Sequence, residues 1–172
     1  MRLLAIAALA LLPACSHSSS KSGCQPYVSG ADVTTPVVSF STDVAPILHR
    51  SCSVGGASCH GDPSSVAELR PFLGYPDLDA GTTSTAQVLA GIVGAKSRED
   101  LAMNLVTAGD PAQSFLMHKL DDDQCTLIAQ CNAAGSLRPN CGVFMPYQFP
   151  DILDVATRDT VRRWIAQGAR DN

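Results

Sequence analysis

The sequence is poor in charged and aromatic residues, which make up 16% and 5% of its 172 positions. A chain with so little charge is neither a disordered acidic protein nor a charge-rich coiled coil. Basic residues are scarce as well: twelve Lys and Arg stand against sixteen Asp and Glu, with no cluster that could neutralise a run of phosphates. This argues against a nucleic-acid partner. Hydrophobic residues reach 45%, which is sufficient for one globular core.

Cysteine, in contrast, is abundant, and the N-terminus accounts for the first of the seven. Residues 3–12 are uninterruptedly apolar, too few for a transmembrane helix but the length of a signal-peptide core. An ordinary signal cleaved at small residues is one interpretation. Leu12, Ala14 and Cys15 instead resemble a bacterial lipobox, in which the cysteine is acylated and becomes the mature N-terminus. We therefore expect a signal peptide over residues 1–14 and lipidation of Cys15.

These features predict that the protein is located in the bacterial cell envelope. The residue after Cys15 is not the aspartate that retains Gram-negative lipoproteins at the inner membrane, so we expect the outer membrane, with the protein facing the periplasm. Residues 15–39 form the lipid anchor and a Ser- and Gly-rich stretch typical of a flexible tether, and residues 40–172 form the domain. Export brings the other six cysteines into an oxidising compartment.

Apolar periodicity predicts an all-α domain with few helices joined by long loops. No segment alternates for long enough to predict a strand. Helices are expected over residues 40–52, over residues 85–93, after the Asp110-Pro111 pair, and near the C-terminus, where Thr157 is the predicted cap and Arg162 faces solvent. The predicted loops span residues 59–85 and 123–154, and loops of that length need something to order them.

The adjacent pair Cys59 and His60 is the motif with the clearest chemistry. In c-type cytochromes two cysteines form thioethers with haem, and the histidine directly after the second binds the iron, in the spacing C-x-x-C-H. Here six residues separate Cys52 from Cys59. Gly55 and Gly56 could let the extra positions bulge outward so that both sulfurs still meet the porphyrin edge. Alternatively, the two cysteines form a disulfide and His60 is an ordinary surface residue.

Four segments resemble the small single-haem cytochrome c domains of planctomycetes and myxobacteria. They are the stretch that leads into Cys-His-Gly, a Gly-Asp-Pro-x-x-Ser-x-Leu segment, a Met-Pro pair and a closing Trp-Ile-x-x-Gly-Ala, at residues 40–61, 109–116, 145–146 and 164–169. The resemblance implies a cytochrome c-like fold and one covalent haem c, with His60 as the proximal and Met145 as the distal ligand. It also implies an electron carrier that exchanges electrons with redox partner proteins in the periplasm.

The other methionines and histidines are expected to be structural. Met103 and Met117 are predicted to be packing residues, because Met117 lies on a helix whose apolar stripe its neighbours already supply and Met103 precedes a segment predicted to be extended. His49 is predicted to be a half-exposed helical residue and His118 to face solvent.

Four cysteines remain after lipidation and haem attachment: Cys24, Cys125, Cys131 and Cys141. Four cysteines allow two disulfides in three connectivities. We expect Cys141 to pair with Cys131 or Cys125 and hold the loop before Met145, with Cys24 joining the tether to the domain.

Two other functions stay open on the sequence. The first is a haem-free, disulfide-stabilised lipoprotein that acts as a binding or structural module on the same fold. The second is a zinc or copper site on Cys59, His60 and Cys141, although that spacing does not fit the common zinc motifs.

Overall fold

The computed structural model describes residues 24–54, 59–62, 71–74, 85–133, 139–147 and 152–172. Across these ranges the secondary structure is helical apart from three isolated β-bridges, which confirms the all-α prediction. None of the helices in these ranges is long and apolar enough to cross a bilayer. The α-helices are α1 (Ala45–Cys52), α2 (Thr85–Ile92), α3 (Phe115–Asp121), α4 (Ile128–Ala133) and α5 (Val155–Ala166).

Helix α1 follows a π-helical turn at Phe40–Val44, so the helical segment predicted over residues 40–52 is confirmed. The carboxylate of Asp43 accepts a hydrogen bond from the amide of Ser39 at 2.8 Å, which satisfies one of the donors that a helix start leaves open. Val44 and Leu48 are fully buried on the inner face. The helix therefore delivers Cys52, at its last position, to the interior.

Helix α5 closes the domain against the start of α1. The rings of Phe40 and Trp164 lie 5.2 Å apart between centroids, and both residues also donate a hydrogen bond to the carbonyl of Arg170. The predicted cap at Thr157 is wrong: Asp154 caps the helix by accepting the Thr157 amide at 3.0 Å. Aspartate is the stronger cap here because its charge also suits the helix N-terminus.

The prediction that Arg162 faces solvent is wrong as well. Arg158 and Arg162 are buried, and each donates to the carboxylate of Asp121 at 2.8 Å. The ring of Tyr27 lies against both guanidinium groups, 4.6 Å from Arg158 and 5.1 Å from Arg162. A buried carboxylate at the end of α3 needs cationic partners, and this need outweighs the polar character that suggested exposure.

A helical segment follows the Asp110-Pro111 pair, as predicted. Asp110 accepts the amide of Gln113, and the chain makes a short 3-10 turn at Pro111–Gln113 before α3 starts at Phe115. Asp122 ends the helix in the left-handed conformation, with φ at +55°. The long loop predicted over residues 123–154 is wrong in part, because it contains α4 and 3-10 turns at Gln124–Leu127 and Pro139–Cys141. These pieces are too short to produce a detectable periodicity.

The described part of the predicted tether lies against the domain. Cys24 forms a disulfide with Cys125, and the amide of Tyr27 donates to Asp123 at 2.7 Å. Further along, the amide of Val38 donates to the side-chain oxygen of Gln167 at 2.9 Å. Residues 24–39 therefore run along the surface formed by α3, α5 and the segment after α3.

His118 belongs to the same contact and is not solvent-facing as predicted. Its side chain is 15% exposed, and Nδ1 lies 2.7 Å from a carboxylate oxygen of Asp123. Burial opposes the charged ring, but Asp123 outweighs burial and raises the pKa of His118 above its ordinary 6.5. Burial likewise opposes the charge of Asp123, yet the hydrogen bonds from His118 and Tyr27 hold its pKa below the ordinary 3.8.

The His118–Asp123 pair makes unfolding depend on pH. The raised pKa of His118 adds stability below 6.5 that is lost as pH rises through the folded-state pKa, and the lowered pKa of Asp123 adds stability above 3.8 that is lost as pH falls. We expect His118→Asn to lower the free energy of unfolding by about 1–2 kcal/mol at about pH 5.5, and by less at about pH 8.5. Urea titrations at the two pH values measure this. A deficit that does not change with pH would contradict the assignment.

Candidate functional site

A cavity of about 1190 Å³ opens between α1, α2, α3 and the segment at residues 139–147. It exceeds the roughly 300–1,000 Å³ typical of small-molecule pockets, and most of its lining is apolar. Cys52, Cys59, His60 and Met145 all line it. The four residues that the sequence singled out for one site therefore face one common space, although the last is 85 positions from His60 along the chain.

The chain returns to the end of α1 after the six residues between the two cysteines. The amide of His60 donates to the carbonyl of Cys52 at 3.1 Å. In an uninterrupted helix the amide of residue i+4 makes this bond to the carbonyl of residue i, and in C-x-x-C-H the histidine is that i+4 residue. Cys52 and His60 make the same bond although they are eight positions apart.

Both cysteines at the cavity are thiols. Cys52 and Cys59 are free of disulfides, and Cys52 is buried while Cys59 is partly exposed. Burial raises the pKa of the Cys52 thiol to about 12, and the nearby Cys59 adds to the rise. Because the thiolate is the form that attacks disulfides, the raised pKa makes Cys52 a poor nucleophile in disulfide exchange.

The imidazole of His60 is oriented by its backbone neighbours. Nδ1 lies 2.8 Å from the carbonyl oxygen of Pro71, and the carbonyl of His60 accepts the amide of Leu73 at 2.9 Å. With the proton on Nδ1, the neutral ring carries its lone pair on Nε2. A ring held through one nitrogen by a backbone carbonyl is typical of metal-binding histidines.

Met145 lines the cavity from the segment at residues 139–147, and its amide donates to the carbonyl of Lys119 at 2.9 Å. Met103 and Met117 are 6% and 1% exposed, pack in the core and do not line the cavity, as predicted.

His49 is buried, not half-exposed as predicted. It is 5% exposed, and neither ring nitrogen has a hydrogen-bond partner among the residues described. Burial lowers its pKa and keeps the ring neutral. His49 does not line the cavity, so it offers no ligand there.

The disulfides resolve the pairing that the sequence left open: Cys141 bonds to Cys131, and Cys24 bonds to Cys125. The alternative zinc or copper site on Cys59, His60 and Cys141 is thereby excluded, because a disulfide sulfur is not available as a thiolate ligand. Within the described ranges, no group of three or more His, Cys, Asp or Glu side chains is arranged to hold a metal ion.

Sequence reasoning missed a buried ion pair in the cavity wall. Nζ of Lys119 lies 2.6 Å from a carboxylate oxygen of Glu99 and 2.8 Å from the carbonyl oxygen of Cys141. The only available signal was spacing, since Lys119 follows Phe115 by four positions and so shares its helix face. The backbone of Gly142, with φ at +63°, lies so close to the Glu99 carboxylate that no Cβ would fit between them.

No protein-family model, curated protein or solved structure matches this chain. The likeness to cytochrome c therefore stays a prediction from the four sequence segments. The helical fold and the two disulfides, in contrast, are features of the structure itself.

Gly142 gives a stability test of this wall. A Cβ at Gly142 would lie 2.8 Å from Glu99 Oε1, and Lys119 restrains the carboxylate from moving away. We expect Gly142→Ala to lower the free energy of unfolding by about 2–4 kcal/mol, from backbone strain together with overpacking. Gly109 is the matched control, since its φ is also positive, at +85°, but nothing lies within 4 Å of the added Cβ.

Denaturant unfolding of the two variants separates the effects. Gly109→Ala reports the strain of a positive φ alone, at about 1 kcal/mol. Equal losses in the two variants would show that the Glu99 contact does not constrain the backbone at Gly142.

Proposed function

We propose that this protein is an electron carrier of the bacterial envelope that holds one covalently attached haem c in the cavity. The observation that carries the proposal is the convergence of Cys52, Cys59, His60 and Met145 on that space. These are the residues that the resemblance to cytochrome c domains assigns to haem attachment and to the two axial positions.

The residues fit the group in three ways. Cys52 and Cys59 are both thiols, the state from which thioether bonds form. The amide of His60 donates to the carbonyl of Cys52, which is the backbone hydrogen bond that a C-x-x-C-H turn makes, although the spacing here is wider. Pro71 holds the imidazole so that Nε2 is the nitrogen able to coordinate a metal.

Haem c supplies an iron centre that accepts and releases single electrons. His60 and Met145 would be the two protein ligands of the iron and would leave no position open for oxygen or substrate, so we propose a carrier rather than an enzyme. The thioether of Met145 is a soft, neutral ligand, which favours the reduced state and raises the potential. The apolar side chains of the wall would act in the same direction on a bound haem.

The proposed location follows from the N-terminus, which lies outside the described residues. Cleavage after residue 14 and acylation of Cys15 would attach the protein to the outer membrane, where its redox partner proteins are those of the periplasm. The Cys24–Cys125 disulfide joins the chain to the domain nine positions after the acylated residue. The alternative, a haem-free lipoprotein that binds another ligand in this cavity, is an outcome of the test below.

The test is expression of the full chain in a host that attaches haem c. We expect a coloured protein whose mass exceeds that of the polypeptide by one haem. The matched control is the same chain with residues 55–58 deleted, because this deletion turns the segment from Cys52 to His60 into C-x-x-C-H without any other change. A colourless full-length product beside a coloured deletion variant would contradict the proposal and favour the haem-free lipoprotein.

Substitution of Met145 tests the distal ligand separately. We expect Met145→Ala to keep the covalent haem but to lose the weak long-wavelength absorption of the sulfur–iron bond, with a lower reduction potential. Met103→Ala is the matched control, since Met103 is buried outside the cavity. An unchanged spectrum in Met145→Ala would show that another residue occupies the distal position.

A further inference from the structure

A single lysine contacts both ends of the short segment that carries Met145 to the cavity. The backbone carbonyl of Lys119 accepts the Met145 amide at 2.9 Å, and its Nζ donates to the carbonyl of Cys141 at 2.8 Å. Three residues lie between these two contacts. The segment is therefore fixed to α3 at its beginning and at its end.

The ammonium of Lys119 is itself held firmly. The residue is 5% exposed, and its Nζ lies 2.6 Å from the Glu99 carboxylate and 5.5 Å from the centre of the Phe115 ring. A buried charge keeps its partners because losing one leaves the other uncompensated in an apolar setting. The Lys119 side chain therefore connects α3 to Glu99 and to residues 141–145, and its contacts restrict its movement.

Gly142 completes this arrangement from the other side. Its backbone packs so closely on Glu99 that an added Cβ would lie 2.8 to 3.0 Å from the carboxylate atoms. The Cys131–Cys141 disulfide fixes the preceding residue covalently to α4. Residues 141–145 therefore have little freedom to move relative to α3.

We propose that Lys119, acting with Glu99, is the positioning residue for Met145. Lys119 holds Met145 at the cavity wall in a fixed position relative to α3, and Lys119 does not itself bind the iron. The identity of Met145 as a ligand rests on the proposed function, whereas the restraint on residues 141–145 does not depend on haem.

The test compares Lys119→Met with the unaltered full chain by two measurements. Methionine keeps an unbranched apolar side chain of similar length but removes the bonds to Glu99 and Cys141. We expect amide hydrogen exchange at residues 142–145 to rise at least about ten-fold. In the haem-loaded protein we expect the sulfur–iron absorption to weaken and the reduction potential to fall.

Three further variants make the result specific. Lys119→Arg can still donate to Glu99 and Cys141, so it should restore both signals in large part. Arg163→Met is the matched control, because it removes a half-buried cation that donates to the backbone carbonyl of Asp32 at 2.8 Å, away from the cavity. If the single variant does not fold, Lys119→Met combined with Glu99→Gln removes the stranded carboxylate, and the same increase in exchange is expected.

Each outcome decides the proposal. Unchanged exchange at residues 142–145 would overturn it whether or not haem is bound. Faster exchange with an unchanged spectrum and potential in the haem-loaded variant would overturn the link to Met145. If the unaltered chain carries no haem, the proposed function has failed, and the restraint by Lys119 is then decided by the exchange rates alone.

Discussion

The hydrogen bond from the amide of His60 to the carbonyl of Cys52 is the contact on which the arrangement of the site depends. It returns the chain to the end of α1 and so brings the imidazole and the second thiol beside the first. Because α1 is continuous with the turn that packs Phe40 against Trp164, the same bond ties this wall of the cavity to the core. The six residues between the cysteines leave this contact intact.

The wall that carries Met145 has further supports. Helix α1 is secured by apolar packing. In the segment that carries Met145, Cys141 also packs in a buried apolar cluster with Met103 and Phe115. The segment is held in addition by the Cys131–Cys141 disulfide and by the Lys119–Glu99 ion pair. The two walls thus have separate supports, and among the residues that the structure describes no side chain fills the cavity between them.

The sequence predicted those features that depend on local pattern. The helical start at residue 40, the helix at Thr85 and the Asp110 cap were found because caps and apolar spacing act within one turn. The cavity-lining residues were found through a motif and its resemblance, since adjacency of Cys59 and His60 is visible in one dimension. The pairing of four cysteines was left open because parity alone does not choose among connectivities.

The features that the sequence did not predict depend on contacts through space. Arg162 and His118 looked exposed because they are polar, but Arg162 is buried beside Asp121, and the His118 side chain is only 15% exposed beside Asp123. His49 looked half-exposed, yet packing leaves only 5% of it exposed. Lys119 has no sequence signal for its role beyond its helical spacing from Phe115, because its partners Glu99 and Cys141 are twenty or more positions away.

The most direct measurement is the mass of one peptide from the mature protein. The peptide of residues 51–96, which follows Arg50 and ends at Lys96, contains Cys52 and Cys59 and no other cysteine. After reduction and alkylation, a site that holds haem yields this peptide with one haem attached and neither cysteine alkylated, which is the result predicted here. The same peptide without haem and with both cysteines alkylated would contradict the account.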